Sequence, residues 1–267
     1  MRHILITGGS GYVGKAFIAA FGRHYRLRLF SRTPAQEGMD CTPGDIRRFD
    51  DVLRASRGVD AILHLAALTT DDKDVKDAEF FETNTVGTFN VLEAAVQNKV
   101  KKVVYGSSVC AVGFRGTPRL ILETDRCEPT DGMYGYSKYL SERLCECYAE
   151  RHKTDIICLR TAMVVPQHEL AAPANPLARH WLGAVHIDDV VEALRLALDN
   201  TSIHFGVFHV ATGNPHSKFD IRRARRLLGY APKHDLEEFI RRPPGGLVKR
   251  LAGKARDAFR RIRSLGE

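Results

Sequence analysis

The first fourteen residues constrain the fold more than any other stretch of the 267-residue chain. Ile4-Leu5-Ile6 is a short apolar run that feeds straight into Thr7-Gly8-Gly9-Ser10-Gly11-Tyr12-Val13-Gly14, and a helical pattern follows at once from Val13 to Phe21. A buried strand that turns immediately into a helix needs glycine at set places. Gly8 can take the tight turn, and Gly14 lets the helix lie close to the strand. Gly11 lets backbone amides approach a ligand at the helix N-terminus, where the helix dipole favours negative charge. Strand before and helix after select a pyrophosphate as that ligand, with Ser10, Tyr12 and Val13 completing the loop that holds it.

The pattern repeats. Apolar runs at Leu27 to Phe30 and Ala61 to Leu65 alternate with helical spacing around Val52 to Ala55. A long helix is expected over Asp77 to Asn98, with Phe80, Phe81, Val86, Phe89, Leu92 and Val96 largely on one face. It is followed by a strand from Lys102 to Ser107, a helix over Tyr134 to Arg151 and a strand from Asp155 to Leu159. Such alternation predicts an α/β fold: a doubly wound parallel sheet of Rossmann type, in residues 1–165, mostly built before residue 160. Pro166, Pro173 and Pro176 break the next stretch, which reads as a loop-rich lid. Helical spacing returns over Asp188 to Leu198, a strand is expected at Val207 to Ala211, and short helices near Asp220 to Leu228 and Leu236 to Ile240. Residues 166–242 thus form a short, abbreviated C-terminal substrate-binding part interleaved with the core. Pro243-Pro244-Gly245-Gly246 is a linker to a basic tail, 243–267.

Two further groups bear on chemistry. The second strand ends Phe30-Ser31-Arg32, where an acid would hydrogen-bond the ribose of NAD; Ser31 and Arg32 instead suit a phosphate, so of the NAD(P) pair NADP is favoured. Tyr134-Gly135-Tyr136-Ser137-Lys138 opens a helix, and the four-residue spacing puts Tyr134 and Lys138 on one face. An ammonium beside a phenol stabilises the phenolate, so Tyr134 could pass a proton to or from a substrate hydroxyl. Ser108, just past the strand, could hold the same oxygen.

With these pieces together, the chain resembles the extended short-chain dehydrogenase/reductase family of NAD(P)-dependent epimerases, dehydratases and reductases. The likeness runs over about residues 2 to 240. It rests on the glycine loop, Gly44-Asp45-Ile46, His64-Leu65-Ala66-Ala67, Asn84-Thr85-Val86-Gly87-Thr88, Ser107-Ser108, Tyr134 to Lys138 and His186-Ile187-Asp188-Asp189-Val190. The resemblance implies that Asp45, with Ile46, meets the adenine edge and that Leu65, Ala66 and Ala67 line the cofactor. It implies that Asn84, counted with that site, supports the central helix. Tyr134 and Lys138 would also contact the cofactor, Lys138 at the nicotinamide ribose.

The departures narrow the reading. Nucleotide-sugar enzymes of the family follow the sixth strand with Arg-Pro and a Gly-Pro turn, then a substantial substrate domain; here Leu159-Arg160-Thr161-Ala162-Met163-Val164-Val165-Pro166 leads to a short loop. Length and abbreviated end look most like the uronate dehydrogenase branch. That branch has Ser-Ser-Asn-His where this chain has Ser107-Ser108-Val109-Cys110, so Ser108 and Val109 would meet substrate with two polar contacts missing. Arg179 and Arg160 are candidates for a substrate carboxylate, or for pairing with an acid on the surface. His64 and His186 sit in apolar runs and read as hydrogen-bonded structural histidines.

Composition removes other classes. With 44% hydrophobic residues, no signal-peptide run at the start and no apolar stretch of membrane-spanning length, the reading is a cytoplasmic globular protein. The six cysteines lack metal-binding or disulfide spacing, so no metal is expected. Of the eight net positive charges, seven lie from Arg241 onward. There, Leu247, Val248, Leu251, Ala255, Ala258, Phe259 and Ile262 recur at helical spacing between cations. This tail, 247–263, suits an anionic membrane surface or an acidic partner, or packing on its own domain or a second subunit. No recognition module accompanies the charge, so nucleic acid is not the expected partner. The expected activity is hydride transfer to or from a small carbonyl or hydroxyl compound, a sugar or sugar derivative, by a homodimer. A sugar or nucleotide-sugar epimerase or dehydratase, or a non-catalytic NAD(P)-binding regulator, are the alternatives.

Overall fold

The computed structural model describes residues 1–32, 40–70, 72, 74–114, 119–165, 184–215 and 217–234. Nine strands and seven α-helices occur among them. The strands are β1 (His3–Thr7), β2 (Arg26–Ser31), β3 (Cys41–Pro43), β4 (Ala61–His64), β5 (Lys102–Ser108), β6 (Asp155–Thr161), β7 (Met163–Val165), β8 (Ala184–His186) and β9 (Phe205–Val210). The helices are α1 (Tyr12–Phe21), α2 (Phe49–Ala55), α3 (Asp77–Phe80), α4 (Gly87–Gln97), α5 (Gly132–Arg151), α6 (Ile187–Asp199) and α7 (Arg222–Leu228).

Seven strands form one sheet in the order β3-β2-β1-β4-β5-β6-β9, every pair parallel. The chain starts in the middle and winds outward both ways, so the reversal lies between β1 and β4. In such sheets a ligand sits in the crevice beyond the strand C-termini at that point. Side-chain alternation divides the interior in two. Ile4, Ile6, Leu63 and Leu159 pack with Phe17 of α1 and Leu194 and Leu198 of α6. Leu5, Ile62, Val103 and Tyr105 face the other way, against Val52 of α2, Val91 and Leu92 of α4 and Cys145 of α5. The expected doubly wound α/β sheet is therefore present. Its last strand and α6 come from beyond residue 165, so the later part of the chain completes the core.

The structure departs from the sequence pattern in three places. The expected Asp77 to Asn98 helix contains a π-helical turn, Phe81–Val86, between α3 and α4. The expected apolar stripe is only partly turned inward: Leu92 is buried, but Val86, at the end of the π turn, and Phe89 are 45% and 42% exposed. β7 and β8 make a separate two-stranded parallel pair, and β3 extends the edge of the main sheet; three-residue strands carry no readable periodicity. The loop-rich 166–179 stretch with Arg179, the expected 236–240 helix, the 243–246 linker and the 247–263 tail lie outside the described residues. Among the described residues no helix is long and apolar enough to cross a membrane.

Candidate active site

The glycine loop lies where the sheet reverses direction. Gly8 has φ +75°, and a Cβ there would come within 2.5 Å of the Ala66 backbone nitrogen, so the turn and the strand-end loop after β4 meet at a point only glycine fits. A Cβ on Gly14 would lie 2.5 Å from the Gly8 carbonyl oxygen, which is why α1 can start so close to β1. Gly11 caps α1 with extended backbone and no side-chain bond, and the first turn of α1 carries no acid. Ser10 and Gly11 are exposed, as is Tyr12 at 47%, with Val13 half-buried behind them. A helix N-terminus at this turn, with no acid in its first turn, suits a pyrophosphate; the loop fits a dinucleotide.

A buried polar thread ties this loop to the helices. Thr7 Oγ1 accepts from the Ala66 amide (3.2 Å) and lies 2.7 Å from His64 Nδ1; His64 Nε2 lies 3.0 Å from Thr88 Oγ1, which donates to the Asn84 carbonyl. Since Thr88 spends its proton on Asn84, the network assigns the imidazole proton to Nε2. Burial, with the Lys138 charge nearby, drops the His64 pKa to about 3, so the ring is neutral and structural, as its apolar surroundings suggest. Leu65, Ala66 and Ala67 are half-buried on the strand end that the thread holds.

Asn84 sits inside the π turn and is 1% exposed. Its amide accepts from Leu68 N (2.8 Å) and donates to Leu68 O (3.0 Å) and Ser137 Oγ (2.9 Å). Ser137 in turn donates to the Tyr134 carbonyl at 2.7 Å. The π turn thus fastens the loop after β4 to the first turn of α5, which carries the tyrosine and lysine.

That first turn packs tightly against β5 and the 3-10 turn Val109–Ala111: a Cβ on Gly135 would lie 1.9 Å from Thr130 O and 2.9 Å from Cys110 O. Lys138 is 4% exposed, donates to Gly106 O of β5 at 2.8 Å, and holds its ammonium 5.0 Å from the Tyr105 ring centre and 6.0 Å from that of Tyr134. Burial brings its pKa down to about 8, opposed by the carboxylate of Glu142 one turn along the helix. Tyr134 is half-buried, with Phe80 edge-on at 6.2 Å. Ser108 ends β5, 7% exposed; its Oγ accepts from Cys110 N at 3.2 Å, so its own hydrogen can be offered to a substrate oxygen. Ser108 thus stands at the C-terminal end of β5, and Lys138 and Tyr134 stand on the first turns of α5, with Lys138 tied to the same strand.

Not every expected contact holds. Arg160, a candidate for a substrate carboxylate, is 1% exposed and engaged in the core: Nε and Nη2 donate to Glu142 at 2.9 and 2.8 Å, while Ser107 Oγ reaches the same carboxylate at 2.6 Å. A guanidinium so enclosed and so fully paired is a structural cross-tie between β6 and α5, and the substrate reading is corrected to that. Val109 is 5% exposed and packs in the apolar core with Val112 and Ile121. Cys110 donates to Asp131 Oδ2 at 3.0 Å, and burial pushes its thiol up to about 12. Just after β3, Arg47 grips Asp45 with contacts of 2.6 to 3.0 Å, holding that carboxyl below the usual range with help from Arg32. Arg32 is exposed, Ser31 half-buried, and Ile46 buried against Gly87. Thr7, Thr88 and Ser137 lie inside the motifs read from the sequence but had no role assigned there; Glu142 lies outside them, four residues after Lys138 on the same helix.

A parallel sheet in this order, a glycine turn at its reversal point and a Ser-Tyr-Lys set at the end of the fifth strand define the short-chain class of dinucleotide-dependent enzymes. The chain belongs to the NAD dependent epimerase/dehydratase family, whose model matches residues 4–184, and is accordingly an enzyme of the oxidoreductase type. It is similar to a uronate dehydrogenase of Pseudomonas putida, 28% identical over 89% of this chain and 86% of that one. It is also similar to an L-arabinose 1-dehydrogenase (NAD(P)(+)) of Haloferax volcanii, 24% identical over 87% of this chain and 97% of that one. Among solved structures it matches a uronate dehydrogenase from Agrobacterium tumefaciens with TM-score 0.78 at 23% identity, covering 90% of this chain and 88% of that one.

Proposed function

We propose that the chain is a dehydrogenase or reductase acting on a small sugar or sugar derivative, with Ser108, Tyr134 and Lys138 as its catalytic residues. Bound NAD(P) would supply the site that takes up or gives back hydride. Tyr134 exchanges the proton of the reacting hydroxyl, Lys138 offsets the charge on its phenolate, and Ser108 donates to the same substrate oxygen. The observation that carries this is the placement of the Lys138 ammonium. It is buried, fixed on Gly106 O and 6.0 Å from the centre of the Tyr134 ring. A protein that merely senses NAD(P) has no use for an ammonium held there. The residues placed with the cofactor are Gly8, Ser10, Gly11, Tyr12, Val13 and Gly14, then Ser31, Arg32, Asp45 and Ile46, then Leu65, Ala66, Ala67 and Asn84.

The test is titration with NADPH and NADH followed by a panel of sugars and sugar acids, read at the reduced-cofactor absorbance. Binding with net turnover, cut by a factor of about 10² to 10⁴ in Tyr134→Phe, is the expected result; binding without net turnover moves the assignment to an epimerase. NADP is the preferred cofactor because Arg32, exposed, follows β2 where an NAD site wants an acid. Arg32→Ala should weaken NADPH far more than NADH, and equal loss would reject the preference. Arg179 for a substrate carboxylate rests on sequence position alone.

Homodimer formation is supported by Val86, Phe89, Tyr136 and Leu140, exposed apolar side chains on the neighbouring α4 and α5 region; unchanged sedimentation of Phe89→Lys would reject it. A cytoplasmic setting is supported by six unpaired cysteines. Contact of the 247–263 tail with an anionic membrane or acidic partner is supported by its charge pattern, and vesicle sedimentation of the full chain against residues 1–242 tests it.

A further inference from the structure

The start of α6 carries a side-chain cluster that hydride chemistry does not use. His186, at the end of β8, is 1% exposed. Its Nδ1 lies 3.7 Å from Asp188 Oδ2, and His234 Nε2, from the segment after α7, lies 3.9 Å from the same oxygen. The donor atoms of the three residues all lie within 4.8 Å of one another. The imidazoles of His186 and His234 stack with centres 3.8 Å apart.

We propose that His186, Asp188 and His234 form a binding site for a divalent transition-metal ion of the zinc class, which clasps the segment after α7 to the start of α6. Nitrogen and carboxylate ligands to zinc at about 2.0 to 2.2 Å stand roughly 3.4 Å apart in a tetrahedron. The donor atoms are close enough, but both lone pairs converge on one ion only if the His234 ring, its side chain 37% exposed, swings out of its stack on His186; Asp188, with its side chain 71% exposed, has room to follow. Metal capture by His186 would replace the long 3.2 Å bond that its Nδ1 accepts from Asp188 N.

A second carboxylate points to a ligand. Asp189 is 3% exposed and fixed by the amides of Lys233 (2.8 Å) and His234 (3.1 Å). Its Oδ2 lies 3.2 Å from His234 Nδ1 without hydrogen-bond geometry, and that buried nitrogen has no hydrogen-bond partner. A turn of the ring would let this carboxylate take the near N–H and aim the far lone pair outward, the arrangement that orients metal-ligating imidazoles. Here the far nitrogen is the one facing Asp188. Two imidazoles with one carboxylate select zinc-like ions over magnesium or calcium, which prefer all-oxygen shells. A cleft of about 270 Å³ lined by Asp188, Asp189, Lys233 and His234 gives an ion access and leaves space for water as a further ligand.

The experiment uses untagged, full-length, chelator-treated protein titrated with Zn²⁺ by calorimetry and with Co²⁺ by visible absorption. One equivalent should bind saturably, with a tetrahedral cobalt spectrum, and Asp188→Asn and His234→Ala should each weaken binding at least tenfold. Both positions are exposed enough for the variants to fold, which matching thermal melts without metal would confirm. Absence of saturable binding, or affinity unchanged in both variants, overturns the proposal and leaves His186 as a helix cap only.

Discussion

Lys138 shows what burying an ammonium costs. An ammonium whose pKa falls from 10.5 to about 8 on folding destabilises the native state by roughly 3 kcal/mol below pH 8. The folded value is the lower one, so the unfolded chain binds the extra proton between pH 8 and 10.5, and this penalty is relieved as pH rises through that window. Urea midpoints at pH 7.5 and 9.5 should therefore shift in favour of the parent relative to Lys138→Met as pH rises; parallel shifts would contradict the burial argument. At this scale the sequence was most informative where spacing alone brings groups together, as for Tyr134 and Lys138. It misled at Arg160, whose fate is set by Glu142 across a strand-helix contact. Alternation within β6 cannot show that the side chain meets a buried carboxylate.

Elements were legible where an uninterrupted period exists: β1 and α1, β5, α5 and α6 all stand within a few residues of the pattern. The π turn was not, because one wider turn leaves composition unchanged and merely shifts the phase of the residues beyond it. Phe89 stands half a turn from Phe80 even on an ideal helix, and it ends up exposed while Phe80 is buried. The turn has a purpose visible in its contacts, since π turns interrupt helices where function needs a side chain redirected. Asn84, so redirected, makes three hydrogen bonds to two other segments. Asn84→Ala should cost about 2 to 4 kcal/mol by chemical denaturation, because it strands the backbone groups of half-buried Leu68 and removes the bond to buried Ser137. Gln97→Ala, on the exposed end of α4, should stay within about 0.5 kcal/mol. Equal costs would mean that the π turn is not held by its asparagine.

For the whole molecule, the parallel topology followed from strand-helix alternation, while the contribution of β9 and α6 to the same core depends on contacts far apart in sequence. Two histidines deep in that core set its acid limit. His64 and His209 both have pKa values lowered to about 3 by burial. Their folded values lie below the ordinary 6.5, so the stability they contribute is full above that pH and drains as pH falls toward 3. Between pH 6.5 and 4.5, before most carboxylates protonate, stability should fall by up to about 1.4 kcal/mol per pH unit for each ring. His64→Gln should flatten that slope, as read from urea midpoints; an unchanged slope would assign the acid sensitivity elsewhere. The packing of α1 against α6 has a further consequence in time. Arg2 donates to the carbonyl of Leu198, 196 residues later, and Phe17 is covered by side chains of the same late helix. At about 5 to 20 residues per second, a ribosome takes roughly 10 to 40 s to deliver that cover. Through that interval the emerging N-terminal half displays an apolar face with nothing yet made to close it, and it is this half-finished chain, more than the finished enzyme, that needs a chaperone.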